Sequence, residues 1–311
     1  MAKQTQLAIL MSTFNGEDFL SAQLDSIFQQ SFTDFVVVAR DDGSGDSTPS
    51  ILTRYATDYP GRFFILPCDS ANLGAKASFA ALLQYVLEHK SELGLARAYI
   101  MFADQDDIWA ANKIEIGLRS LLQLEQEKDY RVPALVHSDL EVIDREGKRL
   151  AFSYIDYQGL QIRRDSLVNQ VQSNLVTGCT AVINEELALK VLPIPEQAIM
   201  HDWWIAVAAV AYGRRAFIDQ PLVRYRQHGR NTIGAQPFVA ATPSPKSLWA
   251  KLRAYKTNAH LYAVAEQSKA VLQRHKGVLN FRQRLGLRLV GCLDVRSGLL
   301  QSLLFRVARY F

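Results

Sequence analysis

Five short apolar runs, at 7–11, 35–39, 63–66, 99–103 and 134–136, are separated along most of the first half by stretches of helical pattern at 18–30, 47–59, 75–90 and 112–127. A strand buried on one face alternates polar and apolar residues. These runs are apolar throughout, so both of their faces must be covered. Covered strands separated by helices predict an α/β fold, with a mostly parallel sheet flanked by helices. In such sheets ligands bind where the strands end on their carboxyl side.

The polar motifs fall at those ends. Ser12-Thr13-Phe14-Asn15 follows the first run, Asp41-Asp42-Gly43-Ser44 the second, and Asp104-Gln105-Asp106-Asp107 the fourth. Three carboxylates within four residues repel one another, and fixing them at the end of a buried strand is costly unless something positive binds there. A hard divalent cation that also holds a phosphate is the natural ligand; an acidic turn before the next helix is the alternative. The segment 41–48 reads as a sharp turn and a helix start capped by Asp46 or Ser47. Capping does not account for the adjacent Asp41 and Asp42, whose carboxylates suit a base N–H or ribose hydroxyls. Neither GxGxxG nor GxxxxGK[ST] is present, so a dinucleotide fingerprint and a P-loop are excluded.

The second half is less regular. A strand is expected at 181–183, a helix over 200–212 opened by His201-Asp202 and closed by Gly213, and two short strands at 217–218 and 222–225 around Pro221. Three prolines within 236–245 mark a linker. The expected organisation is a catalytic domain over 1–235, a linker over 236–245 and a basic amphipathic helical tail over 246–311.

Hydrophobic content of 49% and charged content of 21% in 311 residues are those of a globular chain. Cys68, Cys179 and Cys292 are far apart and lack CxxC spacing, which argues against a disulfide framework or a zinc site and fits a reducing cytosol. Neither a signal peptide nor a transmembrane helix is expected. The net charge of +4 hides an asymmetry. Residues 246–311 hold 13 Lys and Arg against 2 Asp and Glu, a net +11, which leaves −7 for the first 245. Such a tail fits an anionic partner. Leu299, Leu300, Leu303, Leu304, Phe305 and Val307 beside Arg306 and Arg309 read as a basic amphipathic helix, lying on an acidic membrane surface or packed on protein. No nucleic-acid module is recognisable, and nucleic acid is not expected as a partner.

Leu-Met-Ser-Thr-Phe-Asn-Gly at 10–16, Arg-Asp-Asp-Gly-Ser-Gly-Asp-Ser-Thr at 40–48, Asn-Leu-Gly at 72–74 and Phe-Ala-Asp-Gln-Asp-Asp at 102–107 occur in this order. The set resembles family 2 glycosyltransferases over roughly residues 7 to 235. The resemblance implies the GT-A, nucleotide-diphospho-sugar transferase fold with a C-terminal helical extension. It implies Asp104 and Asp106 as the DxD pair that holds Mg²⁺ or Mn²⁺ with the donor diphosphate, next to Gln105. It implies Thr13, Asn15 and Asp41 or Asp42 as the base and ribose pocket. His201-Asp202-Trp203-Trp204 resembles the family's later acidic motif, which makes Asp202 the general base, with His where most members carry an acid. An inverting transfer needs one such carboxylate to take the acceptor proton. Trp203 and Trp204 are expected to wall the acceptor pocket, and the loop with Gly178 and Cys179 to lie on the same side. The segment 224–231 resembles the Tyr-Arg-x-His-x-x-Asn element of bacterial rhamnosyltransferases. There His228 is expected as a third metal ligand or a diphosphate contact, and Arg226 or Arg230 as a phosphate contact.

These resemblances imply an inverting transfer of a sugar, dTDP-L-rhamnose first and a UDP-hexose next, onto a lipid-linked glycan of O-antigen, capsule or exopolysaccharide synthesis. The expected location is cytoplasmic, peripheral on the inner face of the cell membrane. A sugar nucleotidyltransferase is disfavoured because the loop after the first strand lacks Arg and Lys. A non-catalytic binding protein is disfavoured because both acidic motifs are present.

Overall fold

Residues 5–67, 72–126, 132–229 and 257–311 are described in the computed structural model. The linker expected at 236–245 lies outside them, as do Arg230, Asn231 and the start of the tail. Strand β1 (Thr5–Thr13), helix α1 (Leu20–Phe28), β2 (Phe35–Asp41), α2 (Thr48–Asp58), β3 (Phe63–Ile65), α3 (Gly74–Glu88) and β4 (Leu95–Ala103) follow the expected alternation. The register Ile9↔Val37 and Ile9↔Met101 sets β1 between β2 and β4, all parallel, with β3 parallel beyond β2. Successive side chains of these strands point to opposite faces. Ala8, Leu10, Val38, Ile100 and Phe102 enter one core, and Leu7, Ile9, Met11, Val37 and Met101 the other. That division is why the runs contain no polar position.

The remaining elements are β5 (Ile108–Trp109), α4 (Lys113–Gln126), β6 (Ala134–Ile143), β7 (Arg149–Ala151), α5 (Tyr154–Gln158), α6 (Leu167–Gln172), a 3₁₀ turn at Gly178–Thr180, β8 (Val182–Ile183), α7 (Glu185–Val191), α8 (His201–Tyr212) and β9 (Arg214–Arg226). The sheet order is β3-β2-β1-β4-β8-β6-β9-β5, with β7 on β6. The two-residue β8 runs antiparallel between β4 and β6, so the sheet is mixed. Two short strands were expected around Pro221; β9 is one strand. Its register with β6 shifts where Pro221 faces Asp139, a break that accommodates a residue with no N–H to give to the ladder. At the start of α2 the amide of Thr48 donates to Asp46 Oδ1 at 2.9 Å, so the carboxylate of Asp46, not Ser47, serves the helix start.

Three helices close the chain: α9 (His260–His275), α10 (Phe281–Gly291) and α11 (Gly298–Ala308). Val264, Ala265, Val271, Leu287, Val290 and Ala308 join the same apolar core as α3 and α8. Gly286 lets α10 approach α6: a Cβ there would meet Val168 at 2.7 Å. The tail is therefore packed on the body of the fold through α9 and α10. Leu299, Leu300, Leu303 and Val307 of α11 stay exposed, Leu303 at 56%. No described helix is long and apolar enough to cross a membrane.

Candidate active site

The carboxyl ends of β1, β2, β4 and β9 bring the polar loops to one edge. The loop after β4 is tied to its neighbours by main-chain contacts. Gln105 accepts from the amide of Phe14 at 2.8 Å and donates to its carbonyl at 3.0 Å. Gly16 makes room for this clamp, since a Cβ there would lie 2.3 Å from Gln105 Oε1. On the other side Arg226 donates to the carbonyls of Asp106 at 2.9 Å and Arg145 at 2.6 Å, and its guanidinium stacks on Phe19 at 4.8 Å. These bonds hold the acidic residues in place.

The acids fall into two adjoining groups. Asp104, Asp107 and the thiol of Cys179 bring one ligand atom each within 4.8 Å of one another. Asp106 lies beside them, with Oδ2 at 2.7 Å from His228 Nε2. Burial, then Asp106 and Asp202, pushes Asp104 up to about 7. Burial and the two neighbouring aspartates also push Asp107 well above the carboxylate range. Asp107 Oδ1 accepts from the amide of Arg226 at 3.1 Å, while Oδ2 is buried without a hydrogen-bond partner among the described residues. Raised pKa values, an orphaned buried oxygen and clustered carboxylates are what a cation site looks like without its ion. The residues present therefore fit a divalent metal, with Asp104, Asp106 and Asp107 as hard oxygen donors and His228 as a nitrogen donor beside them.

Beneath this cluster sits Lys113, in the first turn of α4. Its ammonium is buried over the Trp109 ring at 3.5 Å, and burial lowers it to about 7 against the pull of Cys179 and Asp107. The sequence reading missed Lys113, as it missed Asp107 as a separate ligand and the Asn174 and Tyr154 contacts described next. The third aspartate of the motif was a legible signal for Asp107. Nothing local in the sequence marks the others.

Asp202 opens α8 and faces the cluster closely enough to raise Asp104. Its Oδ2 accepts from the amide of Gly178 at 2.9 Å, and Oδ1 from Trp203 N at 2.6 Å and Asn174 Nδ2 at 3.2 Å. Burial raises this carboxyl to about 6, with those three hydrogen bonds opposing. Tyr154 lies nearby and is pushed up to about 12 by burial and the Asp202 charge. Gly178 is needed at its position because a Cβ would stand 3.1 Å from His201 Nε2.

Several expected roles change. Trp203 and Trp204 do not wall a pocket. They are buried and donate to the carbonyls of Gln170 at 2.6 Å and Val191 at 3.1 Å, which anchors α8. Cys179 is fully buried and backs the Asp104 and Asp107 carboxylates, away from any acceptor-facing surface. Asp42 is buried, ion-paired to Arg40, and accepts from the amides of Leu73 and Gly74 at 2.9 and 2.7 Å, so it braces the start of α3. Asp41 is the more exposed of the pair; Thr13 and Ser44 hydroxyls hold its Oδ1 at 3.0 and 2.6 Å. Asn15, in a left-handed conformation (φ 47°), receives the amide of Gly45 at 2.9 Å and so pins the loop carrying Asp41. Thr13, Asn15, Gln105 and Arg226 thus spend polar groups on holding the loops.

The model of the family described as Glycosyl transferase family 2 matches residues 8–183. The chain belongs to glycosyltransferase family 2. This family 2 member is 28% identical over 234 residues to the dTDP-rhamnosyl transferase RfbG of Shigella flexneri, covering 72% of this chain and 74% of the relative. It is 24% identical over 192 residues to the UDP-Glc:alpha-D-GlcNAc-diphosphoundecaprenol beta-1,3-glucosyltransferase WfgD of Escherichia coli, covering 61% of this chain and 64% of the relative, less than two thirds of its length. Among solved structures, S. aureus TarS 1-349 in complex with UDP-GlcNAc superposes with a TM-score of 0.56 over 98% of this chain and 92% of that one, at 13% identity. The shared architecture is the GT-A fold, as the motif order implied.

Among the described residues His201 has no hydrogen-bond partner at either ring nitrogen, and it stacks on Phe79 at 4.1 Å. Burial holds it down to about 3. The unfolded chain protonates this histidine near pH 6.5 and the folded chain does not, so His201 withdraws stability as pH falls below about 6.5. The raised Asp104 and Asp202 act in the opposite sense, which makes a variant comparison necessary. His201→Phe should lose about 2 kcal/mol less unfolding free energy than the parent between pH 7 and pH 5, measured by urea titration. The same pH dependence in both proteins would contradict this.

Proposed function

We propose that this family 2 glycosyltransferase is an inverting, metal-dependent enzyme that moves a sugar from a nucleotide diphosphate donor to a hydroxyl of a lipid-linked glycan. One observation carries the reading: Asp202 accepts from the amide of Gly178 at 2.9 Å, and the next residue, Cys179, lies with Asp104 and Asp107 within 4.8 Å, so the carboxylate stands beside the acid loop. The acids of the loop and His228 are the groups that would hold Mg²⁺ or Mn²⁺. Such an ion supplies positive charge opposite the donor diphosphate.

Asp202 takes the proton of the acceptor hydroxyl as its oxygen forms a bond to C1 of the sugar. The bond from C1 to the phosphate oxygen breaks on the opposite face, its electron pair leaves with the nucleoside diphosphate, and the configuration at C1 inverts. A carboxyl raised to about 6 suits this task near neutral pH. Its three hydrogen bonds fix the carboxylate without occupying every lone pair. Asp41, held by Thr13 and Ser44, is the group we assign to the base or ribose.

The donor is dTDP-L-rhamnose in this reading, supported by the likeness to a dTDP-rhamnosyl transferase. A UDP-hexose is the second candidate, supported by the likeness to a UDP-Glc-using enzyme. Asp202→Asn should keep the thermal stabilisation given by the right donor with Mn²⁺ and lower transfer by about 100-fold or more. In the parent, kcat/KM should fall on the acid side as Asp202 takes up its proton, at a pH below the value of about 6 that Asp202 has without a cation beside it. Wild-type turnover in Asp202→Asn would remove the base assignment.

The acceptor's lipid implies work at a membrane, and the exposed leucines of α11 supply a surface for it. Leu299, Leu300, Leu303 and Val307 follow helical spacing, with Arg296, Arg306 and Arg309 at hand. The assigned location is cytoplasmic, on the inner face of the cell membrane. The protein should sediment with phosphatidylglycerol vesicles at low salt, and less so at high salt. The double variant Leu299→Asp/Leu303→Asp should stay in the supernatant; unchanged sedimentation would rule out α11 as the contact.

A further inference from the structure

A second cleft, of about 250 Å³, lies where α6 meets the end of α11. Arg164, Arg309, Asn169, Gln172, Ser173 and Leu175 are among its lining residues. Gln172 ties the two sides together by donating to the carbonyl of Phe305 at 2.8 Å, and its Oε1 is buried without a partner among the described residues. Between the lining residues Ser173 and Leu175 stands Asn174, which holds Asp202. The cleft and the acceptor side of the site are therefore built from the same segment of chain.

The charges in this cleft are unbalanced. Among the described residues neither Arg164 nor Arg309 has a carboxylate partner within ion-pair distance. Arg164 and Arg306 repel Arg309 and, with burial, lower its pKa. Arg309 rests on the Phe305 ring at 4.4 Å, which fixes its guanidinium plane. Two guanidinium groups around one concavity, with no carboxylate paired to either among the described residues, suit a phosphate, which accepts paired N–H donors from each. Arg309 also caps α11, whose exposed Leu303 and Val307 offer an apolar track leading away from the cleft.

We propose that this cleft is the subsite for the phosphate of a polyprenyl-phosphate-linked acceptor, with Arg164 and Arg309 binding its oxygens, the lipid running along α11 and the sugar reaching toward Asp202. This rests on the transferase reading above and deepens it by naming the substrate class. The acceptor is then measured out from its phosphate: the distance between the two sites selects which sugar hydroxyl meets the base.

The test uses the full chain in detergent micelles with EDTA, which removes metal-held diphosphate binding from the signal. Undecaprenyl phosphate, undecaprenol and phosphatidylglycerol are titrated separately and followed by thermophoresis. Undecaprenyl phosphate should bind about tenfold or more tightly than undecaprenol, the scale of a charge-assisted contact. Arg164→Glu/Arg309→Glu should abolish that preference, and Arg164→Gln/Arg309→Gln should reduce it. Both variants should keep the thermal stabilisation given by donor and Mn²⁺, which shows them folded. Equal binding of undecaprenol, or a preference that survives charge reversal, would overturn the proposal. Phosphatidylglycerol binding as tightly as undecaprenyl phosphate would also overturn it, since the cleft would then be a headgroup site. Failure of the transferase reading gives a different result: no nucleotide sugar stabilises the parent, whatever the lipid titrations show.

Discussion

The repulsion among Asp104, Asp106 and Asp107 is the constraint on which the rest of this structure depends. A strand end in a GT-A sheet is already a place where backbone groups lose their partners. Loading it with carboxylates is tolerable only if the surrounding fold holds them rigidly. The means are visible: Gln105 locked to Phe14, Arg226 bonded to main-chain carbonyls, His228 on Asp106, and Lys113 buried beneath. Arg226 and Lys113 bring positive charge close to Asp107, yet Asp104 and Asp107 remain raised. Asp104 and Asp107 are lifted toward neutrality by burial and by their neighbouring carboxylates, and a divalent cation bound there would restore them to their charged form.

Asp202 belongs to the same electrostatic unit. It is raised by burial, it raises Asp104, and it is aimed by Gly178, Trp203 and Asn174. A cation in the acid loop would lower the neighbouring carboxyls, Asp202 included. In the proposed reaction, a cation that arrives with the donor would thereby act on Asp202 through charge.

Much of this was legible in the sequence because parallel sheets leave a strong mark. Five runs apolar on both faces located β1, β2, β3, β4 and β6, and the polar tetrapeptides behind three of them located the edge where the loops meet. What the sequence did not reveal was direction. Trp203 and Trp204 sit beside the base in sequence, yet helical geometry turns their indoles into the core. Asp41 and Asp42 are adjacent, yet strand alternation sends Asp42 inward to Arg40. Lys113 and Asn174 are brought to the site by contacts across long chain separations, which no local pattern encodes. The antiparallel β8, only two residues long, is too short to carry a period. In the tail, which the sequence reads as amphipathic, α9 and α10 send Val264, Ala265, Val271, Leu287 and Val290 into the core, while Leu299, Leu300, Leu303 and Val307 of α11 stay exposed.

The central claim is that the acid loop binds a divalent cation together with a nucleoside diphosphate. Mn²⁺ titration followed by electron paramagnetic resonance tests it most directly, because free and bound ion are counted separately. The account predicts one bound Mn²⁺ per chain, held more tightly when dTDP or UDP is present, and lost in Asp104→Asn and in Asp106→Asn. Mn²⁺ that remains free at concentrations well above those of protein and nucleotide would contradict it, as would binding that survives both substitutions.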